Sequence, residues 1–372
     1  MADAATRVSP VARASIPKPT YEGDFLLDEH FLLECGRTLA GVTLHYAVYG
    51  RLNAARDNAV LVSHALSGSA LVGAWWPEIF APGAMLSLER DFVICINLLG
   101  SCYGSTGPGS VNPETGESYG ADFPLVSIAD NVHAQSRLLD SLGVRHLRLV
   151  LGGSMGGMQA LEWAMLYPDR VERAVIIGVV PLGAMGLALN HLQRHAIQHD
   201  PDWQGGAYLP QRPPRQGLAL ARQIAMLSYK SAPLFDERFQ RRPNRNGEDP
   251  WGLDDLGGGL IGGRFDIAGY LDEQGRRFVD RFDANAYLAI LRTMDTWDPL
   301  RGHSPSEVFG RIRARLTFVG ISSDWLFPPG DVRRFAETIR AAGVDACYCE
   351  MQSDHGHDAF LAEQAELVRL LQ

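Results

Sequence analysis

Leu147-Arg148-Leu149-Val150-Leu151-Gly152-Gly153-Ser154-Met155-Gly156-Gly157-Met158 is the stretch that decides the fold. An apolar run of strand type, residues 147–151, enters a turn built on Gly152, Gly153, Gly156 and Gly157. A helical pattern over residues 158–167 leaves it. A Gly-x-Ser-x-Gly turn between a strand and a helix is so tight that the serine takes a strained backbone, and its neighbours must be nearly free of side chains. The serine then stands above the strand ends, with a helix N-terminus behind it that favours developing negative charge. Ser154 is therefore the candidate nucleophile.

On both sides of this turn, short β-type runs alternate with helical segments, the pattern of an α/β layer fold. Residues 42–48 alternate in character, while 59–63, 92–96, 174–178, 316–320 and 346–350 are apolar runs. Continuous apolar strands predict a mainly parallel sheet buried on both faces by helices. Helices are expected over 128–142, 158–167 and 332–341, with Gly143 and Pro168 following the first two as stops. The rhythm breaks between Pro181 and Arg301, where helix-like stretches (190–199, 217–229 and 285–294) are separated by Pro, Gly and Arg clusters. The chain thus divides into a loose N-terminal arm (1–20), an α/β core (21–183 and 300–372) and a helical lid insertion (184–299). An insertion of this kind sits over the strand ends, where ligands bind in such folds.

A serine hydroxyl is a poor nucleophile without a histidine base oriented by an acid, and the expected chain order is Ser, Asp/Glu, His. Asp324 lies just after the strand at 316–320, and the segment Ser353-Asp354-His355-Gly356-His357-Asp358 follows the strand at 346–350. His355 and His357 compete for the base. His357 is preferred because it follows Gly356 and directly precedes a helix start. An oxyanion hole needs two backbone N–H groups. Met155, after the nucleophile, supplies one, and Leu66, in the loop His64-Ala65-Leu66-Ser67-Gly68, is the candidate for the second.

Composition narrows the function classes. Of 372 residues, 46% are hydrophobic, enough for a large core, and the net charge of −9 disfavours a general grip on nucleic-acid phosphates. No stretch approaches membrane-spanning length, and the first twenty residues show no secretory pattern. Five cysteines, an odd number with no Cys-x-x-Cys pair, read as reduced thiols in a cytoplasmic protein. His191, His195 and His199 line one helix face at a spacing that can bind metal, but the glutamate of a His-Glu-x-x-His motif is missing, so no metal is expected. Gly257-Gly258-Gly259-Leu260-Ile261-Gly262 matches the dinucleotide glycine pattern without a strand before it, and is read as a lid turn. Arg238, Arg241, Arg242 and Arg245 form either a solvated lid loop or a contact to the phosphates of a bulky acyl donor.

These residues also carry a family resemblance. The segment from Gly152 to Trp163 resembles the nucleophile segment of the homoserine O-acetyltransferases, members of the α/β-hydrolase superfamily. Asn97-Leu98-Leu99-Gly100-Ser101-Cys102-Tyr103-Gly104-Ser105-Thr106-Gly107-Pro108, Asp324-Trp325-Leu326-Phe327-Pro328 and Gly356-His357-Asp358-Ala359-Phe360-Leu361 resemble further blocks of that family, across about residues 25 to 370. The resemblance implies an α/β-hydrolase fold with a helical lid and a two-step reaction. Acetyl-CoA acylates Ser154, and the hydroxyl of L-homoserine then takes the acetyl group, a step in methionine biosynthesis. His357 would be the base in both steps, with Asp324 fixing its tautomer.

It further implies that Arg222 and Asp358 hold the carboxylate and ammonium of the amino acid. Family members are commonly homodimers through lid helices. Succinyl-using relatives tend to carry an arginine two residues past the catalytic aspartate. Leu326 occupies that position here, which favours an acetyl donor. Succinyl-CoA as donor, serine as acceptor, and plain ester hydrolysis by the same triad are the alternatives. Acetyl-CoA is then a co-substrate, with no other cofactor, no nucleic acid and no membrane partner.

Overall fold

Strands with no polar face must bury both sides, and the sheet they build does so. A computed structural model describes residues 16–27, 30–248, 250–251 and 263–372. Its strands are β1 (Tyr21–Leu26), β2 (His30–Leu32), β3 (Thr38–Ala40), β4 (Thr43–Tyr49), β5 (Ala59–Ser63), β6 (Phe92–Ile96), β7 (Leu149–Gly153), β8 (Arg173–Ile177), β9 (Arg315–Ile321) and β10 (Ala346–Met351). Eight of them form one sheet in the order β1-β4-β6-β5-β7-β8-β9-β10. From β6 through β10 the pairing is parallel, and β1 and β4 add antiparallel strands at one edge. Every residue of β5, β6 and β7 is buried.

Helices cover both faces. The short α1 (Val72–Trp75) is followed by α2 (Ile128–Ser141) and α3 (Met155–Leu166). Ser127 and Asp130 close a capping box at the start of α2, and Gly143 leaves its end at φ 75°. Between β8 and β9 come α4 (Ala184–Gln198), α5 (Arg215–Tyr229), α6 (Ala232–Phe239), α7 (Asp266–Val279), α8 (Ala284–Asp295) and the one-turn α9 (Pro305–Phe309). The chain ends with α10 (Pro329–Ala341), α11 (Ala359–Ala362) and α12 (Gln364–Leu371). One buried cluster joins α2, α3 and α10 to the sheet through Leu138, Met158, Leu161, Val332 and Phe335. A second packs Val72, Trp76, Phe360, Leu367 and Val368 on the opposite face. Among the described residues no helix is long and apolar enough to cross a membrane.

The structure differs from the sequence reading at several ends. β7 runs two residues further, into Gly152 and Gly153, because their backbones pair with Ser63, Ile176 and Ile177 although they offer no apolar side chain. Helix α3 begins at Met155, not at residue 158. Gly156 and Gly157 are poor helix formers by propensity and hid its first turn. β1, β2 and β3 were not expected: they are short or half-exposed strands without an apolar run. In the inserted region the helix-like stretches lengthen into α4, α5 and α8, and α6 and α7 are additional. Residues 1–15 of the expected arm and the glycine run 257–262 lie outside the described residues.

Candidate active site

The turn after β7 forces the backbone of Ser154 to φ 56°, ψ −131°, a region that costs a non-glycine residue about 1–3 kcal/mol. The surroundings over-determine it. The Ser154 N–H donates to the Ile177 carbonyl at 2.9 Å, and the Ser154 carbonyl accepts the Gly157 N–H at 2.8 Å. The first turn of α3 crosses β5 so closely that a Cβ on Gly156 would lie 2.1 Å from the Ser63 carbonyl oxygen. Only a glycine fits there, and that approach brings the loop after β5 beside the serine.

Asp324 follows β9 and is buried. One carboxylate oxygen accepts the N–H groups of Leu326 and Phe327, each at 2.9 Å. The other faces Nδ1 of His357 at 2.7 Å. The pair rests on the end of β8, where Gly178 has φ 58° and a Cβ would stand 3.3 Å from the His357 ring and 3.4 Å from the carboxylate. With Nδ1 held as donor, Nε2 is the basic nitrogen. It is buried and has no hydrogen-bond partner among the described residues. Burial works to lower the His357 pKa, but the charge and hydrogen bond of Asp324, joined by Asp358, outweigh it. The ring is held above its ordinary value, with Lys230 opposing. His355 instead lies toward the surface, 4.0 Å from Glu363, and the structure separates the two histidines on this ground.

A cavity of about 230 Å³ opens at these groups. Ser154, His357, Leu66, Arg222 and Asp358 all line it, so the structure brings together these five residues from the turn after β7, two loops and the lid. Met155 starts α3, where its N–H has no partner within the helix. The Leu66 N–H likewise makes no hydrogen bond among the described residues. Arg222 lies over the rings of Phe278 and Tyr229, at 4.9 and 5.5 Å from their centroids, and has no ion pair among the described residues. Asp358 pairs with Lys230 at 3.0 Å.

Leu326 is not brought in. Its side chain packs against the large core, and it meets the triad only through its N–H on Asp324. The arginine cluster is also elsewhere. Arg238 stacks on Tyr270, Arg241 on Phe265, Arg242 bonds the Phe239 carbonyl and Arg245 pairs with Asp266. None of the four lines the cavity. The rings of His191, His195 and His199 follow one another along α4, and among the described residues no group of three or more His, Cys, Asp or Glu is placed to hold a metal ion.

Sequence reasoning missed three lid residues. Tyr229 is half-buried beside the His357 ring and lines the cavity. Lys230 accepts the Trp325 indole N–H on its carbonyl and holds Asp358 with its ammonium. Arg281 lines the cavity from the α7–α8 connection. Their only signal was position in the lid, since none belongs to a motif. A larger cavity, of about 580 Å³, lies beside Glu162 and Trp297. It contains no serine–histidine pair, so chemistry selects the smaller one.

The chain is similar to known proteins along most of its length. Residues 58–363 match the model of the alpha/beta hydrolase fold family. A homoserine O-acetyltransferase of Moorella thermoacetica is 45% identical over 354 residues, covering 91% of this chain and 92% of the relative. A second, of Symbiobacterium thermophilum, is 47% identical over 349 residues, covering 89% and 88%. Among solved structures, esterase E22 superposes with a TM-score of 0.82 at 27% identity, covering 94% of this chain and 98% of that one.

Proposed function

The chain belongs to the homoserine O-acetyltransferase family, on the α/β-hydrolase fold, and on that premise we propose that it moves an acetyl group from acetyl-CoA to L-homoserine through an ester on Ser154. In the first half-reaction Ser154 Oγ attacks the thioester carbonyl while His357 Nε2 takes the hydroxyl proton. The C–S bond breaks, CoA leaves as the thiol with that proton, and the N–H groups of Met155 and Leu66 hold the transient oxyanion. In the second, His357 takes the proton of the homoserine hydroxyl, the new ester forms, and the proton returns to Ser154 Oγ. Asp324 keeps Nδ1 protonated throughout. O-acetyl-L-homoserine and CoA are the products. Acetyl-CoA is a co-substrate, and no metal or other cofactor takes part.

The observation that carries the acceptor assignment is Arg222. It is a guanidinium with no carboxylate partner among the described residues, held by ring faces at the Ser154 cavity, which Asp358 also lines. An amino acid offers one carboxylate and one ammonium, and matches that pair. The small cavity suits acetyl better than succinyl. Hydrolysis is the second reading, favoured by the likeness to esterase E22. CoA release with acetyl-CoA and succinyl-CoA, each tested against homoserine, serine and water alone, separates these. Fast release only with acetyl-CoA plus homoserine is expected. Equal release with water would make the protein an esterase.

The exposed Met185 and Leu192 on α4, and Leu220 and Leu227 on α5, support a homodimer formed through lid helices. Sedimentation equilibrium of the protein with Leu192→Glu and Leu220→Glu tests it. Five cysteines with none in a disulfide support a cytoplasmic location.

A further inference from the structure

We propose that Arg281 is a positioning residue that sets the oxyanion hole from the lid, by holding the loop that carries the Leu66 N–H. The inference rests on the acyl-transfer reading above. Residues 65–68 form a turn closed by the Gly68 N–H on the Ala65 carbonyl at 2.9 Å. Leu66 and Ser67 are its central residues; the Leu66 N–H shares a peptide with the accepting Ala65 carbonyl, and the donating Gly68 N–H shares one with the Ser67 carbonyl. The carbonyls of these two peptides each have a further partner. The Ala65 carbonyl also faces Nδ1 of the buried His64 at 2.8 Å, on the sheet side. Burial pushes the pKa of His64 down to about 4, so its ring is a neutral, fixed donor near pH 7. The Ser67 carbonyl accepts a hydrogen bond from Arg281 Nη1 at 3.1 Å, on the lid side.

Arg281 is itself held. The same nitrogen donates to the Tyr103 hydroxyl at 2.5 Å, and the guanidinium lies 4.9 Å over the Phe278 ring. Phe278 stacks on Phe282 at 5.0 Å, and Tyr103 meets Phe282 edge-on at 5.6 Å. Arg281 therefore ties the α7–α8 connection to the core loop bearing Tyr103 and to the turn bearing Leu66. It also forms the shared wall between the Ser154 cavity and an adjoining groove of about 510 Å³ that includes Ser69, Trp75 and Tyr103. A lid displaced from this contact frees the Ser67–Gly68 peptide to turn, which weakens its bond to the Ala65 carbonyl and loosens the peptide that carries the Leu66 N–H. Oxyanion stabilisation depends on donors that do not reorganise during the reaction. Arg281 thereby couples lid closure to acylation competence.

The test uses the full chain with two acyl donors, acetyl-CoA and p-nitrophenyl acetate. The rate of Ser154 acetylation is followed by stopped flow, and the carbonyl stretch of the ¹³C-acetyl enzyme by isotope-edited infrared spectroscopy. Arg281→Gln is expected to slow acetylation by both donors about 10- to 100-fold, less than the full loss of a donor. The ester carbonyl stretch should rise toward its value in water, and KM for homoserine in the second half-reaction should stay within about two-fold. Arg281→Lys, with one donor and the charge retained, should recover part of both signals. Tyr103→Phe should give a smaller effect of the same sign, which keeps the inference testable if Arg281→Gln fails to fold. An unchanged carbonyl stretch with unchanged acetylation overturns it. So does a defect with acetyl-CoA alone, which would make Arg281 a CoA contact. If the unaltered protein takes no acetyl group on Ser154 from either donor, the acyl-transfer reading falls, and this inference with it.

Discussion

The sheet and the lid meet around one cavity, but they hold their residues by different means. Ser154, Asp324 and His357 stand on turns that follow buried parallel strands, and each is fixed by short-range bonds. Ser154 is fixed by the Ile177 carbonyl, Asp324 by two backbone N–H groups, and His357 by Asp324 and the bare Gly178. Arg222 and Arg281 reach the same cavity from a helix and a connection of the lid, and Lys230 meets it through Asp358. They are held by ring faces, one ion pair and long-range hydrogen bonds. The first set can be moved only by disrupting the sheet. The second can be exchanged while the sheet stays intact. The difference teaches that the serine, aspartate and histidine are fixed by strand ends, while the lid adds cavity residues that no strand end fixes.

Ser154→Ala strikes the sheet-borne set hardest. Transfer should fall about 10⁴-fold or more, and intact-mass spectrometry should find no acetyl adduct after incubation with acetyl-CoA. An adduct of normal size on that variant would move the nucleophile elsewhere. Asp324→Asn comes next. It keeps the shape of the site but allows the wrong imidazole tautomer, and kcat should drop about 10³- to 10⁴-fold with the melting curve little changed.

Substitutions in the lid should break the comparison differently. Arg222→Lys, measured by the two half-reactions separately, should leave acetylation of Ser154 near its original rate. It should lower kcat/KM for homoserine about 10- to 100-fold, the range of one lost charge-assisted bidentate contact. Equal damage to both halves would dissolve the division between sheet and lid.

The smallest effect concerns pH. His357 must be neutral to accept a proton, and its pKa is held above the ordinary value, so acetylation by p-nitrophenyl acetate should rise with pH along a limb centred above 6.5. Asp358 is one of the charges that raise it, so Asp358→Asn should move that limb to lower pH. A shift to higher pH would show that Asp358 acts mainly through Lys230, which lowers the His357 pKa.

Legibility followed the same division. Strands 59–63 and 92–96 were readable to the residue because a run buried on both faces must be apolar throughout. β1 was not, since an edge strand with alternate residues exposed has no such constraint. Helix α7 was hidden because Asp266-Ile267-Ala268-Gly269-Tyr270-Leu271-Asp272-Glu273-Gln274-Gly275-Arg276-Arg277-Phe278-Val279 mixes polar and apolar residues evenly and holds two glycines. Among its residues only Asp266, Gly275 and Phe278 are buried. The residues now found beside the triad followed suit. Leu66 could be named from the order of strands alone, whereas Arg281 belongs to no motif and lies 214 positions from the carbonyl it bonds.

By itself the sequence determined the strand–turn–helix around Ser154, the layered α/β class and the placing of Asp324 and His357 on loops after later strands. Local sterics and the burial of continuous strands leave few other conformations for those residues. Only the tertiary structure set His357 rather than His355 against Asp324, left Leu326 outside the cavity, and brought Tyr229 and Arg281 to its wall. These outcomes depend on how the lid helices pack over the strand ends. A distance across that interface is set by the packing of both partners, and no single stretch of sequence contains it.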